Sequence, residues 1–279
     1  MKEFFKKYIQ EILLVGGMVG LLLVGATSYV KADPMVDQVY APSVRLDDST
    51  GGFCSGQIVK SQRDDKTGKV GTYVLTAKHC VLDTPDGETI HITKENHDDS
   101  LKKTGETRYD AKVEGKSYKS DLALLKLVDD NTFFDKVAKV APKDIKLTFG
   151  QTVEVVGYPV GLSMTWTEGK LGYKEEQPAF KSVSQSQLFF RATPDIVGGS
   201  SGSAMYTFNN NEYQIIGITT GGYQFGTFVN YFTPVDEIND YLDTALPKSD
   251  AEKKAAEEKS NSASDTSSVK KAETIKVYQ

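Results

Sequence analysis

Between Val44 and Tyr231 the apolar residues come in short runs rich in Val, Ile, Tyr, Phe and Thr, divided by Gly, Asp, Asn and Pro. The clearest are GFCSGQIV, TYVLTAKH, TIHITKE, LALLKLV, TVEVVGYP, SQLFFRAT, SAMYTF, YQIIGITT and GTFVNYF. Runs of this length and composition, with no helical periods between them, predict strands of an all-β sandwich or barrel. The pattern changes in PVDEINDYLDTAL, where Val235, Ile238, Tyr241 and Leu242 recur at helical spacing and predict a helix over 235–246. Strand content divides at 129–146, DDNTFFDKVAKVAPKDIK, which reads as a connection between two groups of strands. A cleft between two such groups is a natural place for a site.

Both ends break the pattern. MKEFFKKYIQE followed by an apolar run from Ile12 to Ala26 reads as an export signal over residues 1–32. Val30, Lys31 and Ala32 suit cleavage before Asp33. Retention as a membrane anchor is the alternative, because apolar character extends to Val30, near the lower limit of the ~20 residues that span a bilayer. Residues 248–279 hold seven Lys and six acidic residues with almost nothing apolar, and predict a disordered charged tail. The working domain is then 33–247 of a secreted protein.

Charge narrows the choice of partner. The whole chain carries −5, residues 1–32 carry +2 and the tail +1, so the segment between them carries −8. An acidic domain of this kind is a poor match for nucleic acid, and basic patches do not hold it to an anionic membrane. Cys54 and Cys80 are the only cysteines. In an exported segment they read first as a disulfide. A zinc site is the alternative, but His79, His91 and His97 show no ligand spacing.

The candidate chemistry lies in DIVGGSSGSAMY, which sets Ser200, Ser201 and Ser203 among glycines. A Gly/Ser turn is the plain reading. A nucleophilic serine needs a histidine base, and the histidine needs a carboxylate to fix its tautomer. His79 ends an apolar run in VLTAKHCV, whereas His91 and His97 sit in polar HITKENHDDS. Asp121 leads directly into an apolar strand in SDLALLKL.

TAKHC resembles the TAAHC motif of chymotrypsin-like serine proteases, DLALLKL their DIALLKL strand, and GGSSGSA their GDSGGP or GNSGSP segment. The likeness runs from about Val44 to Leu246, with FCSG, GYP and GITTGGY in the same order. It implies two antiparallel six-stranded β-barrels, about 36–130 and 146–233, with a C-terminal helix and the triad His79, Asp121 and Ser201 between the barrels. It also implies that the Cys54–Cys80 pair ties the GFCSG strand to the turn after His79. The family pattern of Gly, any residue, Ser, Gly fits only Ser201, with Gly199 two residues before and Gly202 after. The N–H groups of Gly199 and Ser201 would form the oxyanion hole, each donor worth ~3 kcal/mol to the transition state.

The resemblance implies polypeptide substrates, no metal, no organic cofactor and a monomer. Ser200 stands where the digestive enzymes have an aspartate, and no IVGG start is present, so the likeness is to the bacterial branch of glutamyl endopeptidases and Htr-type domains, without a PDZ segment. Asp195, six residues before Ser201, holds the place of the trypsin pocket aspartate and would favour Lys or Arg; a turn aspartate facing solvent is the alternative. Thr220, Gly221 and Gly222 are expected to line the pocket, and Thr219, where glutamyl endopeptidases carry histidine, argues against a Glu preference. A catalytically idle, surface-binding relative of the proteases is the competing reading.

Overall fold

The computed structural model describes residues 34–47, 51–85, 87–98, 102–177, 187–222 and 229–248. The expected export signal over 1–32 and the tail beyond Lys248 lie outside the described residues.

Among the described residues, twelve antiparallel strands form two closed barrels. The first contains β1 (Ser43–Asp47), β2 (Phe53–Arg63), β3 (Val70–Thr76), β4 (Ile90–His97), β5 (Lys103–Lys116) and β6 (Ala123–Leu127), in the order β1-β2-β3-β6-β5-β4. The second contains β7 (Thr152–Gly157), β8 (Thr165–Gln177), β9 (Gln187–Ala192), β10 (Ala204–Asn209), β11 (Glu212–Gly222) and β12 (Asn230–Pro234), in the order β10-β11-β12-β9-β8-β7. The chain ends this architecture with α1 (Val235–Ala245). Closing each sheet into a barrel removes the open edges that it would otherwise present.

Three apolar clusters explain the sequence pattern. Val44, Leu46, Ile58, Val74, Ile92 and Leu125 fill the first barrel, and Val153, Val155, Phe190, Met205, Ile216 and Phe232 fill the second. The third lies between them and takes Tyr73, Leu75 and Leu124 from one barrel, Ala204, Tyr206, Ile215 and Ile218 from the other, and Ile238 and Tyr241 from α1. Successive side chains of a strand point to opposite faces. Tyr73 and Leu75 therefore reach the shared cluster while Val74 fills the barrel, and Met205 and Tyr206 divide in the same way. These strands are buried on both faces, which is why YVLTA and LALLKL read as continuous apolar runs.

Polar contacts also join the barrels. The fully buried Tyr206 hydroxyl donates to Gln57 Oε1 at 2.9 Å, and Tyr158 Oη lies 3.4 Å from the Ser43 carbonyl. The stretch between β6 and β7 runs from one barrel to the other, with the Ala138 amide on the Ile58 carbonyl and the Ala141 amide on the Ile215 carbonyl.

Candidate active site

β3 ends at Thr76, and the chain turns at once into a short 3-10 turn, Lys78–Val81, that carries His79. Asp121 sits on a bend two residues before β6, and β6 is the direct neighbour of β3. Strand pairing thus brings two residues 42 positions apart into contact. Asp121 is fully buried, while the His79 side chain is 32% exposed. Its Oδ1 accepts the His79 backbone N–H at 2.9 Å and its Oδ2 lies 2.7 Å from His79 Nδ1. A carboxylate only accepts, so Nδ1 carries a proton, and Nε2 is the ring nitrogen left outside this contact. One carboxylate thus holds the histidine at two points, its backbone N–H and its Nδ1.

Ser201 lies in the turn between β9 and β10, and the first barrel holds that turn. The Ser55 amide donates to the Ser201 carbonyl at 2.7 Å, and Cys80 Sγ approaches the same oxygen to 3.8 Å. The serine is thereby brought beside the residue that follows His79. Among the described residues no hydrogen bond joins Ser201 Oγ to the His79 ring. Ser200 and Ser203 are otherwise engaged. Ser200 is buried, and its Oγ accepts the Val197 amide at 3.3 Å. Ser203 is fully buried, its Oγ pressed against Gly157, where an added Cβ would meet it at 1.8 Å.

Two glycines of the turn have positive φ, Gly199 at 90° and Gly202 at 82°. A Cβ on Gly202 would meet the Ser55 carbonyl at 2.1 Å, and one on Gly199 would meet the Tyr158 carbonyl at 2.6 Å, so neither position accepts a side chain. The Gly198 carbonyl accepts the Val160 amide at 2.6 Å. In a trans peptide C=O and N–H point opposite ways, so this bond turns the Gly199 N–H away from Val160. Ser55 Oγ donates to the Gly199 carbonyl at 2.9 Å and fixes the next peptide. Among the described residues, neither the Gly199 nor the Ser201 amide has a hydrogen-bond acceptor. Val160 itself adopts φ 47°, ψ 27°. A β-branched residue there stores roughly 1–3 kcal/mol of strain, so the loop carrying it is tightly determined by its surroundings.

Cys54 and Cys80 form a disulfide with 6.1 Å between their Cα atoms. Together with His79 they make a group of potential metal ligands, but the two sulfurs are bonded to each other and offer no thiolate. The disulfide joins the start of β2 to the His79 turn.

Asp195 is exposed, and its carbonyl accepts Thr167 Oγ1 at 3.0 Å. The preceding Pro194 carbonyl accepts Asn230 Nδ2 at 2.6 Å. Thr220 is buried with its hydroxyl 3.0 Å from that of Thr233, Gly221 opens to free space, and a Cβ on Gly222 would meet Asn230 Oδ1 at 2.3 Å. Residues 223–228, which follow Gly222, lie outside the described residues.

Ser55 was not singled out from the sequence. It is buried, its Oγ also accepts the Tyr158 amide at 2.9 Å, and its carbonyl accepts Thr76 Oγ1 at 2.7 Å. A serine in an apolar strand directly after a cysteine was the available signal. Lys78, a lysine at the end of an apolar strand, was the other.

The trypsin-like peptidase domain model matches residues 33–218. Among solved structures, an inactive serine-to-alanine form of Rv3671c from M. tuberculosis H37Rv aligns with TM-score 0.57 and 15% identity, covering 79% of this chain and 96% of that one. The HtrA-type protease AlgW with a tripeptide aligns at 0.55 and 17%, covering 76% and 62%. Deg5 aligns at 0.54 and 19%, covering 75% and 92%. No curated protein sequence matches significantly.

Proposed function

Since the chain belongs to the trypsin-like peptidase domain family, we propose that it is a secreted serine endopeptidase using Ser201 as nucleophile, His79 as base and Asp121 as the group that orients the base. The observation that carries this assignment is the two-point hold of Asp121 on His79, made beside a turn that leaves two amides unpaired.

His79 Nε2 takes the Ser201 hydroxyl proton as Oγ bonds to the peptide carbonyl carbon, and the carbonyl π electrons move to oxygen. The Gly199 and Ser201 amides receive that oxyanion. On collapse the C–N bond breaks, and His79 returns its proton to the leaving amine. Water then adds to the acyl-enzyme with His79 again as base, releasing the carboxylic acid and restoring Ser201. Asp121 remains ionised and stabilises the imidazolium in both halves. All three residues come from one chain, which suits a monomer, and the signal-like start of the sequence supports export.

The absence of a Ser201–His79 hydrogen bond among the described residues favours one rival, the idle protease-fold module. Catalytic hydrogen bonds commonly tighten only once substrate is bound, which keeps the enzyme reading ahead. A serine-directed fluorophosphonate probe decides between them. Labelling of the wild type, lost in Ser201→Ala, together with a fall in peptide turnover of about four orders of magnitude in His79→Ala, is expected. A folded wild type that neither labels nor turns over peptide overturns the enzyme reading.

Asp195, Thr220, Gly221 and Gly222 are read as the specificity pocket. Cleavage of a peptide library should then enrich Lys or Arg before the cut, and Asp195→Ser should abolish that enrichment. Enrichment of small or acidic residues would reject Asp195 as the selector.

A further inference from the structure

The residue before His79 is a lysine whose side chain turns inward, with only 7% of the residue exposed. A buried ammonium persists only where it finds acceptors or an opposite charge. Lys78 Nζ donates to the Ser117 carbonyl at 2.8 Å. Burial pushes its pKa below the ordinary lysine value, the Asp121 charge opposes that shift, and Lys116 adds to it.

Ser117 begins the loop that ends in Asp121. The Ser117 amide donates to the Leu122 carbonyl at 2.8 Å and the Ser120 amide to Ser117 Oγ at 3.0 Å, so 117–122 is a closed loop with Asp121 at its neck. Lys78 grips this loop from the histidine side. On another side Ser120 Oγ donates to Glu237 Oε2 at 2.6 Å, and Tyr241 Oη donates to the Gly115 carbonyl at 2.7 Å, both from α1. Lys116 Nζ reaches back to the Leu82 and Thr84 carbonyls, each at 3.2 Å, just beyond the His79 turn. Asp121 and Lys116 are the charges that act on Lys78, His79 follows it in the chain, Glu237 stands behind Ser120, and Tyr241 stands behind Gly115 with Glu114 acting on it.

We propose that Lys78 is a positioning residue of the peptidase reaction: it clamps the Asp121 loop to the His79 turn and sets a buried positive charge near Asp121. This rests on the reading of His79, Asp121 and Ser201 as the catalytic set. A cation near a base disfavours its protonated form, so removing Lys78 is expected to move the acid limb of kcat/KM to higher pH. The clamp and the charge are separable, because glutamine in place of lysine can still donate to a carbonyl but is neutral.

The test is the pH profile of peptide turnover by the full chain with Lys78→Met, Lys78→Gln and Lys78→Arg. For Met and Gln the acid limb should rise by about half a pH unit or more. Turnover at the optimum should fall about tenfold or more in Lys78→Met, with KM within about threefold, and less in Lys78→Gln. Lys78→Arg, which keeps the charge, should keep the wild-type limb. An unmoved limb in folded Lys78→Gln overturns the charge, and wild-type kcat in folded Lys78→Met overturns the clamp. Should the Met variant fail to fold, Lys78→Gln and a direct NMR titration of the His79 ring, made in Ser201→Ala without any need for activity, decide the point. The two readings fail separately: persistent turnover in His79→Ala would end the catalytic assignment, whereas an unchanged ring titration on adding Lys78→Gln would end only the charge role of Lys78.

Discussion

A buried hydroxyl stabilises a fold only when it finds partners, and the two serines crowded against Gly157 differ in this respect. Ser55 Oγ donates to the Gly199 carbonyl and accepts the Tyr158 amide, while Ser203 Oγ has no partner among the described residues. Ser55→Ala should therefore cost about 1–3 kcal/mol by leaving two backbone groups unpaired. It should also slow turnover, because it frees the peptide beside the proposed oxyanion donors. Ser203→Ala removes only an unsatisfied oxygen and should leave both quantities unchanged or raise stability slightly. Urea unfolding and turnover of the two variants check this, and equal losses in both would refute it. Gly199→Ala has a harsher expectation. A Cβ at φ 90° facing the Tyr158 carbonyl at 2.6 Å forces the peptide out of place, so kcat should fall about 10²–10³-fold, as when one oxyanion donor is lost, and unchanged kcat would count against the assignment. At this scale a residue is legible where it stands inside a motif, as Ser201 does between its glycines. Ser55 is not, because its partners Gly199 and Tyr158 lie 144 and 103 positions away.

Strands pose the complementary problem, since what makes one legible is the burial of its side chains. The nine runs singled out from the sequence lie on strands or directly beside them, and several, such as β3 and β6, are apolar on both faces because they stand between two cores. β1, β5 and β8, SVRLD, KTGETRYDAKVEGK and TWTEGKLGYKEEQ, correspond to none of these runs. β5 buries only Ala111 fully and shows charged residues to solvent, so neither its composition nor a strong alternation announces it. Its place is dictated from outside, by pairing with β4 and β6. The disulfide belongs to this scale, because it joins β2 to the turn after β3 across a separation of 26 residues. On the chain-entropy model, breaking it costs roughly 3–4 kcal/mol. Cys54→Ser/Cys80→Ser should lower the melting temperature and reduce turnover more than proportionally, because the His79 turn loses its tether. A double variant with the wild-type melting temperature and turnover would deny the disulfide both roles.

Two closed barrels could in principle unfold separately, and whether they do depends on what lies between them. The shared cluster draws on β3 and β6 from the first barrel, on β10 and β11 from the second, and on α1, whose Ile238 is fully buried within it. The helix follows the second barrel in the chain, yet it is anchored to the first through Tyr241 and Glu237. Separation of the barrels would expose all of this apolar surface at once, so neither barrel gains by unfolding first. The proposed triad depends on the same junction, since His79 and Asp121 come from the first barrel and Ser201 from the second. Trp166, the only tryptophan, lies on β8 and reports on the second barrel, whereas far-UV circular dichroism reports on both. In urea the two signals should therefore follow one transition with a common midpoint. Ile238→Ala, which opens a cavity in the shared cluster, should shift both by the same amount, a loss of about 2–5 kcal/mol. If the tryptophan signal instead moved alone, the barrels would be independent folding units, and α1 would stabilise only the one it follows.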